Sequence, residues 1–336
     1  MKSKKVIIPI FIPHKGCPFD CIYCNQKLIS GQIRDITVDD IRDTIELFKG
    51  TIAKGTIPEV AFYGGSFTGI DIKDQTKFLE CVYEYVKRGE IRAVRLSTRP
   101  DYITSEILDN LRRYGVETIE LGVQSLDDEV LRLSHRGHTK KDVQSAVDMI
   151  KGYGFNLGIQ TMIGLPGDTK DKAIDTANEV VKLGPNFVRI YPTLVIKDTY
   201  LCKMLEKGEF SPLTLEEAVD ISASLYMIYQ NNGIDIIRVG LQPTKNIVSG
   251  GDVKGGPFHP AFRQLVESMI LRDLMEDAIK RRGLVDRVDV YVGCKYISSA
   301  IGQKRENILY LKDKLGIREI RIHGVEGKKI SDIIVR

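Results

Sequence analysis

Within GCPFDCIYCNQ, residues 16–26, three cysteines stand close together at Cys17, Cys21 and Cys24. Thiolates are soft ligands that suit zinc or iron-sulfur clusters, and a structural zinc closes with four ligands, commonly two close pairs set apart. Here the C-x3-C-x2-C knot stands alone. Cys81, Cys202 and Cys294 are scattered without the spacing of a disulfide framework. A zinc completed by His14 or by a remote residue, and thiols holding no metal, are the plain readings. A cluster held by three cysteines makes the missing fourth ligand useful, because a catalytic metal keeps an open position.

Ligands this close in sequence need a rigid frame behind them. Short apolar runs at 5–12, 59–63, 91–97, 117–123, 156–163 and 187–191 alternate with helix-periodic stretches at 37–53, 71–88, 104–114, 139–152 and 170–183. Such runs fit strands of a buried parallel sheet, and Thr37, Asp71 and Thr139 stand where N-caps belong. The succession of β-α units predicts an α/β fold, a partial (β/α)6 TIM-like barrel, since right-handed crossovers all turn the same way. In that architecture chemistry gathers where strands end. GCPFDCIYCNQ, GGSFTG at 64–69, TRPD at 98–101 and GLPGDT at 164–169 all fall at such ends.

Past residue 200 the pattern changes to a helical stretch at 214–232, a strand-like run at 234–240 and a glycine-rich loop at 249–257. A helix from His259 to about Arg282 is followed by RVDVYVG, YISSAIGQKRENILYLKDKLG and IREIRIHGV, the pattern of a small α-β-α-α-β module. The division expected is a core over 1–240 and, over 241–336, a helical linker with a small C-terminal α+β module.

At 336 residues, 43% apolar and 28% charged, the chain can bury a substantial core, and disorder is not expected beyond the first few residues. A net charge of +4 identifies no partner, although basic clusters such as KRR at 280–282 gather toward the C-terminus. The opening apolar run is too short to span a membrane and lacks a small-residue cleavage site, so no membrane partner and a cytoplasmic, reducing location are expected.

C-x3-C-x-aromatic-C after the first strand, here Cys17, Cys21, Tyr23 and Cys24, is identified as the signature of the radical S-adenosylmethionine (radical SAM) superfamily. The resemblance implies a [4Fe-4S] cluster on the three cysteines, with S-adenosylmethionine chelating the fourth iron. Reductive cleavage of that molecule would yield a 5′-deoxyadenosyl radical, with an electron donor such as flavodoxin or ferredoxin implied. Tyr23 would pack on the adenine. Gly64, Gly65 and Ser66 would meet the amino group, and Ser97 and Thr98 would lie near the cofactor; Arg99 has a structural alternative.

ELGVQSLDDEVLRLSHRGHT at 120–139 resembles the radical SAM domain of the Elongator catalytic subunit and, less closely, oxygen-independent coproporphyrinogen oxidase. By that resemblance Gln124 faces the cofactor, Arg136 approaches the methionyl carboxylate and Gln160, before GLPG, faces the ribose. His135 and His138 have no partner motif and read as structural. The resemblance covers about residues 5–240. Nothing beyond resembles the Elongator subunit's acetyltransferase domain, so its acetyl-CoA-dependent chemistry does not simply carry over.

SSAIGQKRENILYLKDKLGIREIRIHG at 298–324 resembles the core of a KH domain, whose GXXG loop clamps a nucleotide backbone. The loop here is Gly302, Gln303, Lys304 and Arg305, with arginine in place of the second glycine. Lys304, Arg305 and Lys312 would be phosphate contacts; a structural module with a solvated basic face is the alternative. The expectation is a radical SAM enzyme modifying RNA, specifically a tRNA nucleobase. A small-metabolite enzyme and an RNA-binding protein with a structural cluster are the rivals. No residue is marked as a hydrogen donor or acceptor toward substrate.

Overall fold

In β1 (Ile7–Ile12) the alternate residues Ile8, Ile10 and Ile12 are buried beneath the helical layer, whereas Ile7, Pro9 and Phe11 point to the other face and are less covered. Burying each isoleucine is worth about 1.5–3 kcal/mol. The computed structural model describes residues 6–12, 17, 21–25, 35–53, 55–241, 251–283 and 286–336. His14 and the rest of the cysteine loop, Lys5 at the head of the first expected strand, and positions 249–250 of the glycine-rich loop lie outside the described residues.

Alternation of strand and helix then follows: α1 (Val38–Lys49), β2 (Glu59–Gly64), α2 (Ile72–Lys87), β3 (Val94–Thr98), α3 (Ser105–Arg113), β4 (Val116–Gln124), α4 (Asp128–Leu133), α5 (Lys140–Gly152), β5 (Asn156–Ile163), α6 (Lys170–Leu183) and β6 (Phe187–Pro192). Thr37, Asp71, Thr104, Thr139 and Thr169 each accept a backbone N–H of the first helical turn. That satisfies donors the helix itself leaves orphaned. Helix α1 stops at Lys49, short of the expected 53, and β3 begins at Val94, later than the expected 91. The Ile91 N–H is held by the Tyr85 carbonyl at the end of α2 and so is withdrawn from the sheet. Helix α4 was not expected, because six residues are too few to display a helical period.

Beyond β6 come β7 (Val195–Ile196), α7 (Tyr200–Glu206), α8 (Leu215–Asn231), β8 (Asp235–Val239) and β9 (Val253–Gly255). Strands β1 to β6 and β8 form one sheet in sequence order, and every neighbouring pair is parallel. The α/β partial-barrel expectation therefore holds, with β8 adding a seventh strand. The sheet curls: Tyr63 on β2 and Arg189 on β6, four strands apart, meet across the concave face with Nη2 donating to the phenol oxygen at 3.0 Å.

The remaining elements are α9 (Phe262–Arg282), β10 (Arg287–Gly293), α10 (Ile297–Ile301), α11 (Glu306–Leu315), β11 (Glu319–Val325) and β12 (Ile334–Val335), with sheet order β11-β10-β12. Strands β7 and β9 form a separate antiparallel pair, and helix α9 joins the seven-stranded sheet to the β11-β10-β12 sheet. Near its start Arg263 donates to the Ile236 carbonyl at 3.1 Å, and further on the Ser268 carbonyl accepts from buried Asn307 at 2.9 Å. Among the described residues no helix is long and apolar enough to cross a membrane.

Candidate active site at the strand ends

The cysteine segment is pinned at its middle by Ile22. Its N–H donates to the Ser134 carbonyl at 3.3 Å and its carbonyl accepts from Leu201 at 2.8 Å, while its side chain is buried with Val195, Leu201 and Cys202. The Cys24 N–H donates to the Cys21 carbonyl at 3.0 Å, a tight turn that carries the second and third cysteines. Cys21 is buried, and Cys17 and Cys24 are half-buried. Burial pushes the Cys17 thiol up, and the backbone N–H of Ser66 opposes that shift.

Cys17 senses Cys21, and both Cys21 and Cys24 adjoin Tyr23. Even so, among the described residues no three His, Cys, Asp or Glu side chains stand close enough to hold one metal ion. In an iron-sulfur cluster the cysteines bind different irons, so a single point of convergence is not required.

At the end of β2, Gly64 has φ +103°, and a Cβ there would stand 2.6 Å from the Ile12 carbonyl oxygen. Gly65 donates to that same oxygen at 3.0 Å. Only glycine allows so close an approach of two strand ends. The Ser66 hydroxyl is engaged by Thr98 at 2.8 Å and by the Arg99 N–H at 3.2 Å, so what it presents to Cys17 is its backbone.

The end of β4 is irregular. Its register against β5 shifts between Gly122 and Gln124, and Gln124 takes φ +70°, unusual for a residue with a side chain. Buried His138 braces the bulge through Nε2, 3.2 Å from the Val123 carbonyl. Burial, reinforced by the nearby Arg136 and Arg99 cations, pushes this imidazole down to about 3. His138 is therefore neutral and structural, and exposed His135 stacks on Tyr200.

Arg136 is buried against the cysteine loop. Its Nη1 lies 3.4 Å from the Cys21 sulfur and its Nη2 donates to the Gly122 carbonyl. Arg99 braces the same corner, pairing its Nε and Nη2 with Asp101 at 3.0 Å each, donating to the Arg136 carbonyl and bringing Nη1 to 4.0 Å from Cys21. Two guanidinium groups thus converge on one thiol.

Below these groups the concave face carries a charged ladder that the sequence reading did not single out. Glu59 pairs with Arg95 at 3.0 Å, Arg95 with Glu120 at 3.3 Å, and Glu120 with Arg189 at 2.7 Å. Tyr63 donates to Glu120 at 3.2 Å, and Arg189 reaches the Tyr191 phenol at 3.3 Å. The available signal was charge at inward positions of strands that are otherwise apolar. Ser97 and Gln160 are half-buried on their strands, and Gln160 lies in register between Gly122 and Arg189.

Of the residues expected at the cofactor, Ser66 and Arg136 meet the cysteine loop, at Cys17 and Cys21, and Gln124 lies beside Arg136 at Gly122. Buried Gln124 Oε1 and Arg136 Nε have no hydrogen-bond partner, an arrangement that costs free energy unless a ligand completes it. Burial also holds the Tyr23 phenol well above its ordinary range. Three thiols, orphaned polar atoms and a glycine-only strand end fit a thiolate-held cluster with a small polar ligand.

In the C-terminal module the Gly302–Arg305 loop joins α10 to α11. A Cβ on Gly302, at φ +79°, would meet the Glu306 side chain at 2.8 Å and the Asn307 nitrogen at 2.9 Å. Lys304 and Arg305 are exposed at φ +49° and +65°. Arg305 thus carries a side chain on a backbone conformation that favours glycine.

A model of the radical SAM superfamily matches residues 11–180, and one of the radical SAM C-terminal domain matches residues 185–272. The tRNA uridine(34) acetyltransferase of Methanocaldococcus jannaschii is 32% identical over 48% of this chain and 34% of its own length. Elongator complex protein 3 of Saccharomyces cerevisiae is 33% identical over 47% of this chain and 28% of its own. The match thus spans about a third of these curated relatives. An N-terminally truncated Elongator protein 3 of Methanocaldococcus infernus shares the fold, with a TM-score of 0.63 at 22% identity over 88% of this chain and 68% of that one.

Proposed function

The chain belongs to the radical SAM superfamily, and on that premise we propose that it modifies RNA, namely a nucleobase of tRNA. It is an enzyme of a family that uses a [4Fe-4S] cluster and S-adenosylmethionine. When bound, that pair supplies an electron for reductive cleavage of a carbon–sulfur bond, and with it a carbon radical able to abstract hydrogen.

Cys17, Cys21 and Cys24 would hold the cluster. Tyr23, Gly64, Gly65, Ser66, Ser97, Gln124, Arg136 and Gln160 would shape the S-adenosylmethionine site. The Arg136 guanidinium, placed beside both Cys21 and Gly122, supplies fixed positive charge where a carboxylate would bind. Arg99 and Asp101 hold that corner in place, and the bulge braced by His138 aims Gln124. An external one-electron carrier of flavodoxin or ferredoxin type would feed the site, in the cytoplasm.

The observation that carries the RNA reading is the Gly302–Arg305 loop: two exposed cations on a strained turn between helices suit a phosphate backbone. The names of the curated relatives, which specify a tRNA uridine, support it. The division into a radical core over 1–240 and a substrate-presenting part over 241–336 belongs to the same proposal. The test compares tRNA nucleosides from a deletion strain and its parent by mass spectrometry, alongside 5′-deoxyadenosine release by the anaerobically reconstituted protein. Loss of a modified nucleoside is expected; an unchanged nucleoside profile overturns the RNA reading, and absence of 5′-deoxyadenosine overturns the enzymatic one.

A further inference from the structure

We propose that His135 and Tyr200, with the cations Arg132, Lys203 and Lys207, form the surface on which an acidic one-electron carrier protein docks to reduce the cluster. The inference rests on the radical SAM reading above and names where that carrier sits. Ile22, between two of the cysteines, is held by its backbone from both sides: its N–H donates to the Ser134 carbonyl at 3.3 Å, and its carbonyl accepts from Leu201 at 2.8 Å. The neighbours of those partners, His135 and Tyr200, reach the surface and stack there, with ring centroids 5.9 Å apart at 27°. Tyr200 is 54% exposed. On the inner side Arg136, which follows His135, lies 3.4 Å from the Cys21 sulfur. Two short chains of bonds therefore lead from one exposed ring pair to a cysteine of the cluster loop, one through Arg136 and one through Leu201 and Ile22. Electron transfer between proteins falls off steeply with distance, so a carrier gains most by seating over such paths.

The charges around the pair fit an acidic partner. Arg132 stands three residues before His135, and Lys203 and Lys207 follow Tyr200 at three and seven residues, the spacing of one helix face. All three are exposed, and among the described residues none of their side chains has an ion pair or a hydrogen bond. The acids of the same two helices are engaged elsewhere. Asp127 and Glu129, at the start of α4, are held by Lys172, Asp128 accepts the Lys140 N–H at 2.8 Å, and Glu206 takes the Cys202 thiol at 3.6 Å. Exposed Asp198 and Glu209 flank α7, and exposed Lys197 and Lys254 offset them. An exposed ring pair rimmed by unpaired cations suits a small, transient contact steered by charge, as redox encounters are.

The experiment uses the reconstituted full chain, purified flavodoxin and ferredoxin as probes, and the triple change Arg132→Glu/Lys203→Glu/Lys207→Glu. Wild type is expected to bind one of the carriers at low salt and to have its cluster reduced by it, followed by stopped-flow absorbance. The triple variant is expected to bind that carrier roughly tenfold more weakly, because like charges then face each other, and its cluster reduction should slow in step. Both differences should shrink as salt rises. Dithionite needs no docking surface, so 5′-deoxyadenosine release driven by it should match wild type, which separates docking from a folding or cluster defect. Carrier binding and reduction equal to wild type overturn the surface, and so does an equal loss of dithionite-driven release. Weaker tRNA binding with carrier binding unchanged overturns it too, and assigns the cations to RNA. If wild type binds neither carrier, the surface fails and the radical SAM reading stands. If wild type releases no 5′-deoxyadenosine with dithionite, that reading fails and the surface fails with it.

Discussion

The Arg136 guanidinium places Nη1 3.4 Å from the Cys21 sulfur while its Nη2 donates to the Gly122 carbonyl. One buried cation thus ties the cysteine loop to the end of β4. Arg136→Met would leave the half-buried Gly122 carbonyl without this donor and remove the cation, a loss of about 1–3 kcal/mol of stability, read from urea unfolding. On the reconstituted protein the cluster's midpoint potential should fall, because positive charge and hydrogen bonding at a cysteine sulfur stabilise the reduced state. An EPR-monitored redox titration checks it, and an unchanged potential would count against Arg136 acting on the cluster. Arg136→Lys, with one head group for two partners, should lie between.

Glu120 is clasped by Arg95 and Arg189 and accepts from Tyr63, with its side chain only 3% exposed. Glu120→Gln leaves the Arg189 guanidinium short of countercharge in a buried place, while Arg95 keeps Glu59. The expected loss is about 3–5 kcal/mol, typical of breaking a buried pair from one side. Denaturant unfolding of the two proteins measures it.

His138 ties stability to pH. Its folded pKa, about 3, lies below the ordinary value near 6.5 because burial and the Arg136 and Arg99 cations oppose protonation, with Asp101 and the Val123 carbonyl acting the other way. Below pH 6.5 the unfolded chain binds a proton that the folded one refuses. Its contribution is therefore constant above about pH 6.5 and is lost toward pH 3, at up to about 1.4 kcal/mol per pH unit. His138→Gln keeps a donor for Val123 and cannot titrate, so its stability should vary less with pH across that window. Unfolding midpoints between pH 4 and 7, set as buffer conditions, decide the matter.

For the C-terminal loop, the double change Lys304→Glu/Arg305→Glu should weaken tRNA binding for all sequences alike. It should also reduce the slope of log affinity against log salt by about 2, since each phosphate contact contributes about 0.9. Filter binding of tRNA across a salt series measures both. Binding and slope equal to wild type would leave the module a structural role.

Much of the frame was legible because its signals are local. Thr37, Asp71 and Thr139 mark helix starts through hydrogen bonds that reach only two or three residues ahead, and each caps in the structure as its position indicates. The apolar runs mark strands for the same reason. Misplaced ends arose where a tertiary contact intervened, as when Tyr85 takes the Ile91 N–H and delays β3. Helix α7 and the β7–β9 pair went unread, since two- to seven-residue elements show too little period.

By itself the sequence determined the kind of chemistry and where along the chain it is housed: Cys17, Cys21 and Cys24 crowd one loop, and the β-α alternation puts that loop at a strand end. Tertiary structure alone decided which distant side chains stand around it. Arg136 meets Cys21 across 115 positions and Tyr63 meets Arg189 across 126. No periodicity records such meetings, because they depend on how far a parallel sheet curls, and curl is set by the packing of the whole sheet against its helices.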